Sequence, residues 1–204
     1  MFELDHIAVA GETLTAAAQH TEQSLGIAPG PGGQHTHYGT HNQLLGLADG
    51  LYLEAIAIDP SQPEPPYPRW FGLDDFKGPA RLDKWILRCD DINAALQQFP
   101  DLGDSVHLTR GSVSWTMIVP PDGRLPFDGL FPALIQWHTD SPPGKALPAA
   151  RLELQWLTVA CPAAEELSSL LGPVFSDTRV VFESAETPSL EAVFDTPDGQ
   201  KVLR

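Results

Sequence analysis

Five of the seven histidines lie in the first 41 residues: His6, His20, His35, His37 and His41. His6 follows Asp5 in the apolar run Leu4–Ala10, and Glu54 interrupts a second apolar run, Tyr52–Ile58. A carboxylate buried alone is costly, so Glu54 calls for a cation, a metal or a donor beside it. A histidine and a glutamate on neighbouring strands can hold a divalent ion with open coordination positions. The same pair could instead move a proton, because the pKa of an imidazole is readily shifted around neutrality. His35, His37 and His41 recur at period two, which puts them on one face if the stretch is extended. A straight strand would hold His35 and His41 about 20 Å apart, so only a bend at Gly39 would bring them to one site. Gly30-Pro31-Gly32-Gly33 reads as a flexible turn that lets backbone approach a ligand.

The elements that must carry these groups form a repeat. Leu4–Ala10, Leu82–Cys89 and Leu154–Cys161 read as short buried strands. Helical stripes follow at about 13–25, 92–99 and 162–171, with Thr13 and Asp90 or Asp91 as caps and Pro162 at a first helical position. Extended segments follow each helix: about 35–39, 42–48 and 51–58; then 105–110, 113–119 and 132–138; then 178–183, 189–195 and 200–203. The chain therefore reads as three βαβββ units starting near residues 3, 81 and 151. Pro-rich joints at 59–68 and 141–148 separate them, since proline lacks the donor that a helix interior or central strand needs.

Composition narrows the function. The 204 residues carry 27 acidic and 12 basic side chains, a net charge of −15. Such a surface repels phosphate backbones and anionic lipids, so no nucleic acid and no membrane is expected among its partners. No run is long enough to span a bilayer, and the N-terminus lacks the basic region of a signal peptide. Cys89 and Cys161 are too few for a disulfide framework, and a cytoplasmic location is expected. Gly-x-Ser-x-Gly, His-Glu-x-x-His, Cys-x-x-Cys and Gly-x-Gly-x-x-Gly motifs are all absent.

Leu4-Asp5-His6, Pro29-Gly30-x-Gly32-Gly33-x-His35, Gly39-Thr40-x-Asn42-x-Leu44-Leu45 and Tyr52-Leu53-Glu54 together resemble the glyoxalase-like domain of the vicinal oxygen chelate (glyoxalase/bleomycin resistance/dioxygenase) superfamily. Leu134-Ile135-Gln136-Trp137 is similar to that group's second-half signature. The resemblance implies an α+β fold of repeated βαβββ modules whose curled mixed sheets form a cup, helices outside. It implies a glyoxalase-like domain over 1–140, with modules at about 3–58 and 81–138. The third module, over 150–204, has Trp156 where His6 would stand and no match to Glu54, so it reads as structural, packed on the domain or mediating a homodimer contact.

In metal-using relatives, ligands come from the first and last strands of two modules. Carried over, His6 and Glu54 match as metal and catalytic residues. Lys84 and Gln136 stand where a second histidine and carboxylate would be, and neither is a good ligand for a transition ion. His35, His41 or His138 would have to complete the set. A divalent metal (Zn, Fe, Mn, Ni or Mg) or none is therefore expected. In the metal-free version Lys84 pairs with Glu54 or binds an anionic group, and His6 acts as acid or base. His35, Asn42, Lys84, Gln136, Trp115 and Arg110 are the expected substrate-binding residues, with Tyr52, Trp85, Trp115 and Trp137 as apolar walls. Arg124 is a second spare cation.

The expected function is small-molecule chemistry of the lyase, isomerase or dioxygenase kind on an oxygenated metabolite. The alternatives are a non-catalytic, bleomycin-resistance-like module that sequesters a small ligand, and an acidic interaction protein with a vestigial site.

Overall fold

A computed structural model describes all residues, 1–204. The first unit comprises β1 (Glu3–Ala10), α1 (Leu14–Leu25), β2 (Gly30–His35), β3 (Thr40–Gly46) and β4 (Tyr52–Ile58). The second comprises β5 (Arg81–Arg88), α2 (Ile92–Gln98), β6 (Asp104–Arg110), β7 (Val113–Val119) and β8 (Ala133–Trp137). One eight-stranded sheet runs β2-β3-β4-β1-β5-β8-β7-β6. In each unit the first strand pairs in parallel with the last, and β1 and β5 join the units antiparallel at the centre. This α+β sheet curls into the half-barrel expected of the resemblance.

Local signals explain the ends. The Thr13 side chain accepts from the Ala16 amide, and Gly26 closes α1 in a left-handed conformation. Asp91 accepts from the amides of Asn93 and Ala94 at the start of α2. Pro162 lies before α4 (Ala164–Leu171) rather than in its first turn.

The third unit differs from the other two. It comprises β9 (Glu153–Cys161), α4, β10 (Val180–Ser184), β11 (Ser189–Thr196) and β12 (Gly199–Leu203), ordered β10-β9-β11-β12. Here the first strand pairs in parallel with the strand just after the helix, not with the last. The element order repeats, but the wiring does not. This sheet covers the side of the large sheet opposite the cup. Trp85 of β5 points into that layer, against Phe175 and Phe182, and its indole N–H donates to the Leu130 carbonyl at 2.7 Å. Trp85 is therefore core and not a cup wall. Truncating so large a buried ring costs about 3–5 kcal/mol.

Two further elements lie between the units: a 3-10 turn at Trp70–Asp75, just after the first Pro-rich joint, and the short α3 (Pro143–Ala146) within the second. No helix is long and apolar enough to cross a membrane.

Candidate active site

A β-bulge brings the first two groups together. The β1–β5 register slips between Leu4 and His6, leaving Asp5 as the extra residue. Neighbours on a regular strand point to opposite faces, yet Asp5 Oδ2 sits 2.9 Å from His6 Nδ1. The Trp137 indole, arriving from β8, donates to both Asp5 oxygens at 3.1 and 3.2 Å. Tyr52 lies beside His6 on the parallel strand β4 and stacks on its ring at 4.2 Å.

On its other side, His6 Nε2 faces Glu54 Oε2 at 3.7 Å. This is close enough for an ion pair and longer than a hydrogen bond. Asn42 of β3 donates to Glu54 Oε1 at 2.6 Å. Both Asn42 and Glu54 are buried. Burial pulls the His6 pKa down and the Glu54 pKa up, but their partners win in both cases. Hydrogen bonding to Asp5 and the nearby Glu54 carboxylate raise His6 above 6.5. His6, His35 and Asn42 hold Glu54 down at about 2. The His6 imidazole thus lies between two carboxylates that favour its protonated form.

His35 behaves oppositely. Burial lowers its pKa to about 4, and the Arg110 guanidinium adds to this against the pull of Glu54. Arg110 Nη1 donates to His35 Nε2 at 3.0 Å and to Asn42 Oδ1 at 3.1 Å. With Nε2 accepting, neutral His35 carries its proton on Nδ1, where it donates to Thr40 Oγ1 at 3.0 Å. Arg110 comes from β6 of the other unit, faces neutral partners and makes no salt bridge.

Glycines make this crossing possible. A side chain on Gly33 would strike the Arg110 stem, and one on Gly32 would strike Asn42. Gly30–Gly33 is therefore not a free turn. It is the edge strand β2, and the Gly33 amide donates to Asn42 Oδ1 at 2.8 Å.

The cup is lined by these polar groups on one side and by Trp115, Met117, Ile135 and Trp137 on the other, with Trp70 and Phe71 as further wall. Its empty volume is about 370 Å³ with the mouth included, but only about 30 Å³ admits the centre of a water molecule.

His6, Glu54, His35, Asn42, Arg110 and Trp115 thus converge, and Lys84 and Gln136 do not. The Lys84 ammonium pairs with Asp83, donating also to the Asp83 carbonyl at 3.0 Å, and lines a separate hollow. It does not pair with Glu54. Gln136 faces away from the cup: its amide donates to the Asp90 carbonyl at 2.7 Å and accepts from the Ile92 amide at 3.0 Å, holding the start of α2. The residues of β8 that reach the cup are its neighbours on either side, Ile135 and Trp137.

Gly39 does bend the chain, at φ 58°, but the bend separates the histidines. His41 turns to Asp59, His37 stacks on Tyr67, and His138 bonds Thr116. Arg124 pairs with Asp75 at the surface. Asp5, Trp70 and Phe71 are additions that sequence reasoning missed. The bulge gives Asp5 its role, and Trp70 and Phe71 follow the proline-rich joint with no strand or helix period to mark them.

A family model described as Glyoxalase-like domain matches residues 4–175. The chain belongs to that family. Among solved structures it is similar to a hypothetical protein from Staphylococcus aureus, at 14% identity and TM-score 0.62, covering 93% of this chain and 88% of that one. A Streptomyces coelicolor methylmalonyl-CoA epimerase in complex with 2-nitronate-propionyl-CoA is 16% identical, with TM-score 0.43 and 67% and 97% of the two chains covered. A hypothetical protein from Bacillus halodurans C-125 is 15% identical, with TM-score 0.44 and coverage of 69% and 96%. At these identities the first likeness is one of fold alone. Comparison with curated proteins gave no match.

Members of this fold family commonly use a divalent metal, so the donor set bears on the chemistry. No three His, Cys, Asp or Glu side chains converge in a metal-binding arrangement. Only His6 Nε2 and Glu54 Oε2 face each other as candidate donors, and Lys84 and Gln136 are turned away. His35 Nε2 is taken by a guanidinium, whose fixed charge repels a cation. These residues do not fit a four-ligand divalent site.

Proposed function

We propose that this protein is a metal-independent enzyme that moves a proton on a small carboxylate or carbonyl-bearing metabolite, in the manner of an isomerase or lyase. The observation that carries this reading is the juxtaposition of Arg110, a cation without a carboxylate partner, with the His6–Glu54 pair. An anionic oxygen of the ligand suits Arg110, because a guanidinium offers paired donors to a carboxylate.

Glu54 stays ionised through neutral pH, the state a base requires, although its low pKa gives it little driving force. A ligand oxygen that takes the His6 Nε2 proton as a hydrogen bond weakens the main interaction holding Glu54 acidic. Glu54 then accepts the proton from the carbon next to the carbonyl. His6 and Arg110 stabilise the oxyanion that forms, and Asp5 keeps the imidazole charged and oriented. Return of the proton to the same or a neighbouring carbon completes an isomerisation; loss of a leaving group completes an elimination. The apolar wall of Trp115, Met117, Ile135 and Trp137 keeps water out and strengthens these charges.

The test is deuterium wash-in from heavy water into small 2-oxo and 2-hydroxycarbonyl acids, followed by NMR with a chelator present. Exchange that survives the chelator, falls at least a hundredfold in Glu54→Gln and loses affinity in Arg110→Met supports the reading. Binding without exchange would favour the sequestering alternative. Exchange abolished by the chelator would overturn the metal-free mechanism.

A further inference from the structure

One segment of the cup wall carries three anomalies. Phe71 holds φ 62° and is followed by Gly72 at 66°; a bulky side chain rarely adopts the left-handed region. The two residues before it hold the only buried side-chain polar atoms without a hydrogen-bond partner, Arg69 Nε and Trp70 Nε1. Strained backbone and unsatisfied buried donors each cost free energy, and both collect where a structure must change.

Phe71 is also the one residue that lines both the cup and the second hollow. That hollow has an empty volume of about 850 Å³, solvent-open mouth included. Its floor is Lys84, buried and facing Gly129. A side chain at Gly129 would meet the ammonium at 3.3 Å, so bare backbone there leaves room beside Nζ, which is held from its other side by Asp83. The backbone that achieves this is itself left-handed at three residues in succession: Phe127, Asp128 and Gly129, with φ 56°, 56° and 87°. Asp83 alone balances both Lys84 and Arg81, Arg124 is paired with Asp75, and Asp128 is the remaining carboxylate.

Resting on the reading of the cup above, we infer that residues 69–72 form a movable partition, and that its displacement joins the cup to the Lys84 hollow as one site for an elongated dianionic ligand. One oxyanion of the ligand meets Arg110 and the other meets Lys84, with an apolar chain passing Phe71 between them. The class of ligand is a carboxylate metabolite with a second acidic group at the far end of an aliphatic spacer. The tightness of the cup by itself follows, since only a small head group needs to enter it.

Calorimetric titration with a series of straight-chain dicarboxylates, from malonate to sebacate, tests this on the intact protein. We expect malonate to bind through the cup and the longer members to gain at least tenfold once the chain passes the partition. Lys84→Gln should remove that gain. Phe71→Ala, which opens the wall without altering charge, should raise the affinity for the long ligand more than that for malonate. Affinity independent of chain length and of Lys84, yet lost in Arg110→Met, would overturn the partition and leave the cup reading standing. Failure of every member to bind would overturn both.

Discussion

The two halves of the cup have the same wiring and opposite chemistry. The first unit offers His6, His35, Asn42 and Glu54; the second offers Trp115, Met117, Ile135 and Trp137, plus the single charge of Arg110. In the first unit every buried polar group is matched: Glu54 to Asn42 and His6, His6 to Asp5, His35 to Thr40. In the second unit the positions that sequence alignment would fill with ligands hold side chains engaged elsewhere. A duplicated fold therefore does not imply a duplicated site. One half can hold the charges while the other supplies the low-dielectric wall that makes them effective.

The largest break in this contrast should come from Glu54. Glu54→Ala leaves the buried His6 ring with Asp5 as its one remaining carboxylate partner. It should cost roughly 3–5 kcal/mol in denaturant unfolding, the usual penalty for removing one partner of a buried pair. Next in size is the pH response. Glu54 is depressed from 4.5 to about 2, so its contribution, on the order of 3 kcal/mol, is present above pH 4.5 and is lost as pH falls towards 2. His35, depressed from 6.5 to about 4, likewise contributes above pH 6.5 and loses its contribution as pH falls towards 4. His6, raised, contributes fully below pH 6.5 and loses its contribution as pH rises through its folded pKa. The histidines of the polar half thus oppose each other. His35→Gln should flatten the loss of stability between pH 6.5 and 4, and a midpoint curve unchanged in that window would refute the assignment.

Smaller effects sharpen the comparison from the apolar half. Trp137→Phe keeps the wall but removes the indole N–H from Asp5, and should cost about 1.5–3 kcal/mol, the range for a hydrogen bond to a charged group. Gln136→Ala should cost only about 1 kcal/mol through the start of α2, and should leave ligand affinity within twofold. A large loss of affinity in that variant would return Gln136 to the site and undo the contrast between the halves.

Much of the scaffold was legible without coordinates. Thr13 and Asp91 announce their helices because cap chemistry is local, and β1, β4, β5, β7 and β8 follow from short apolar runs. β2 does not, because Gly30–His35 has no apolar run, and the 35–39 stretch expected to be extended is a turn from residue 36. His6 and Glu54 stand out because a polar residue in an apolar run demands a partner. Gln136 misled for a specific reason: strand side chains alternate, so a one-residue error in register moves a residue from the cup to the opposite face. Lys84 does lie opposite Ala8 on β5, but further along the strand, beyond the Phe71 wall.

By itself the sequence determined that three units of like element order would form, that His6 and Glu54 would stand in neighbouring apolar strands of the first, and that the chain would be strongly acidic. Those properties depend on local period, caps and composition. Only the tertiary structure decided that Asp5 would bulge onto His6, that Arg110 would cross from the other unit to His35 and Asn42, and that Lys84 would serve a different hollow. Each of these depends on hydrogen-bond register between strands distant in the chain, and a residue's own neighbours carry no record of that register.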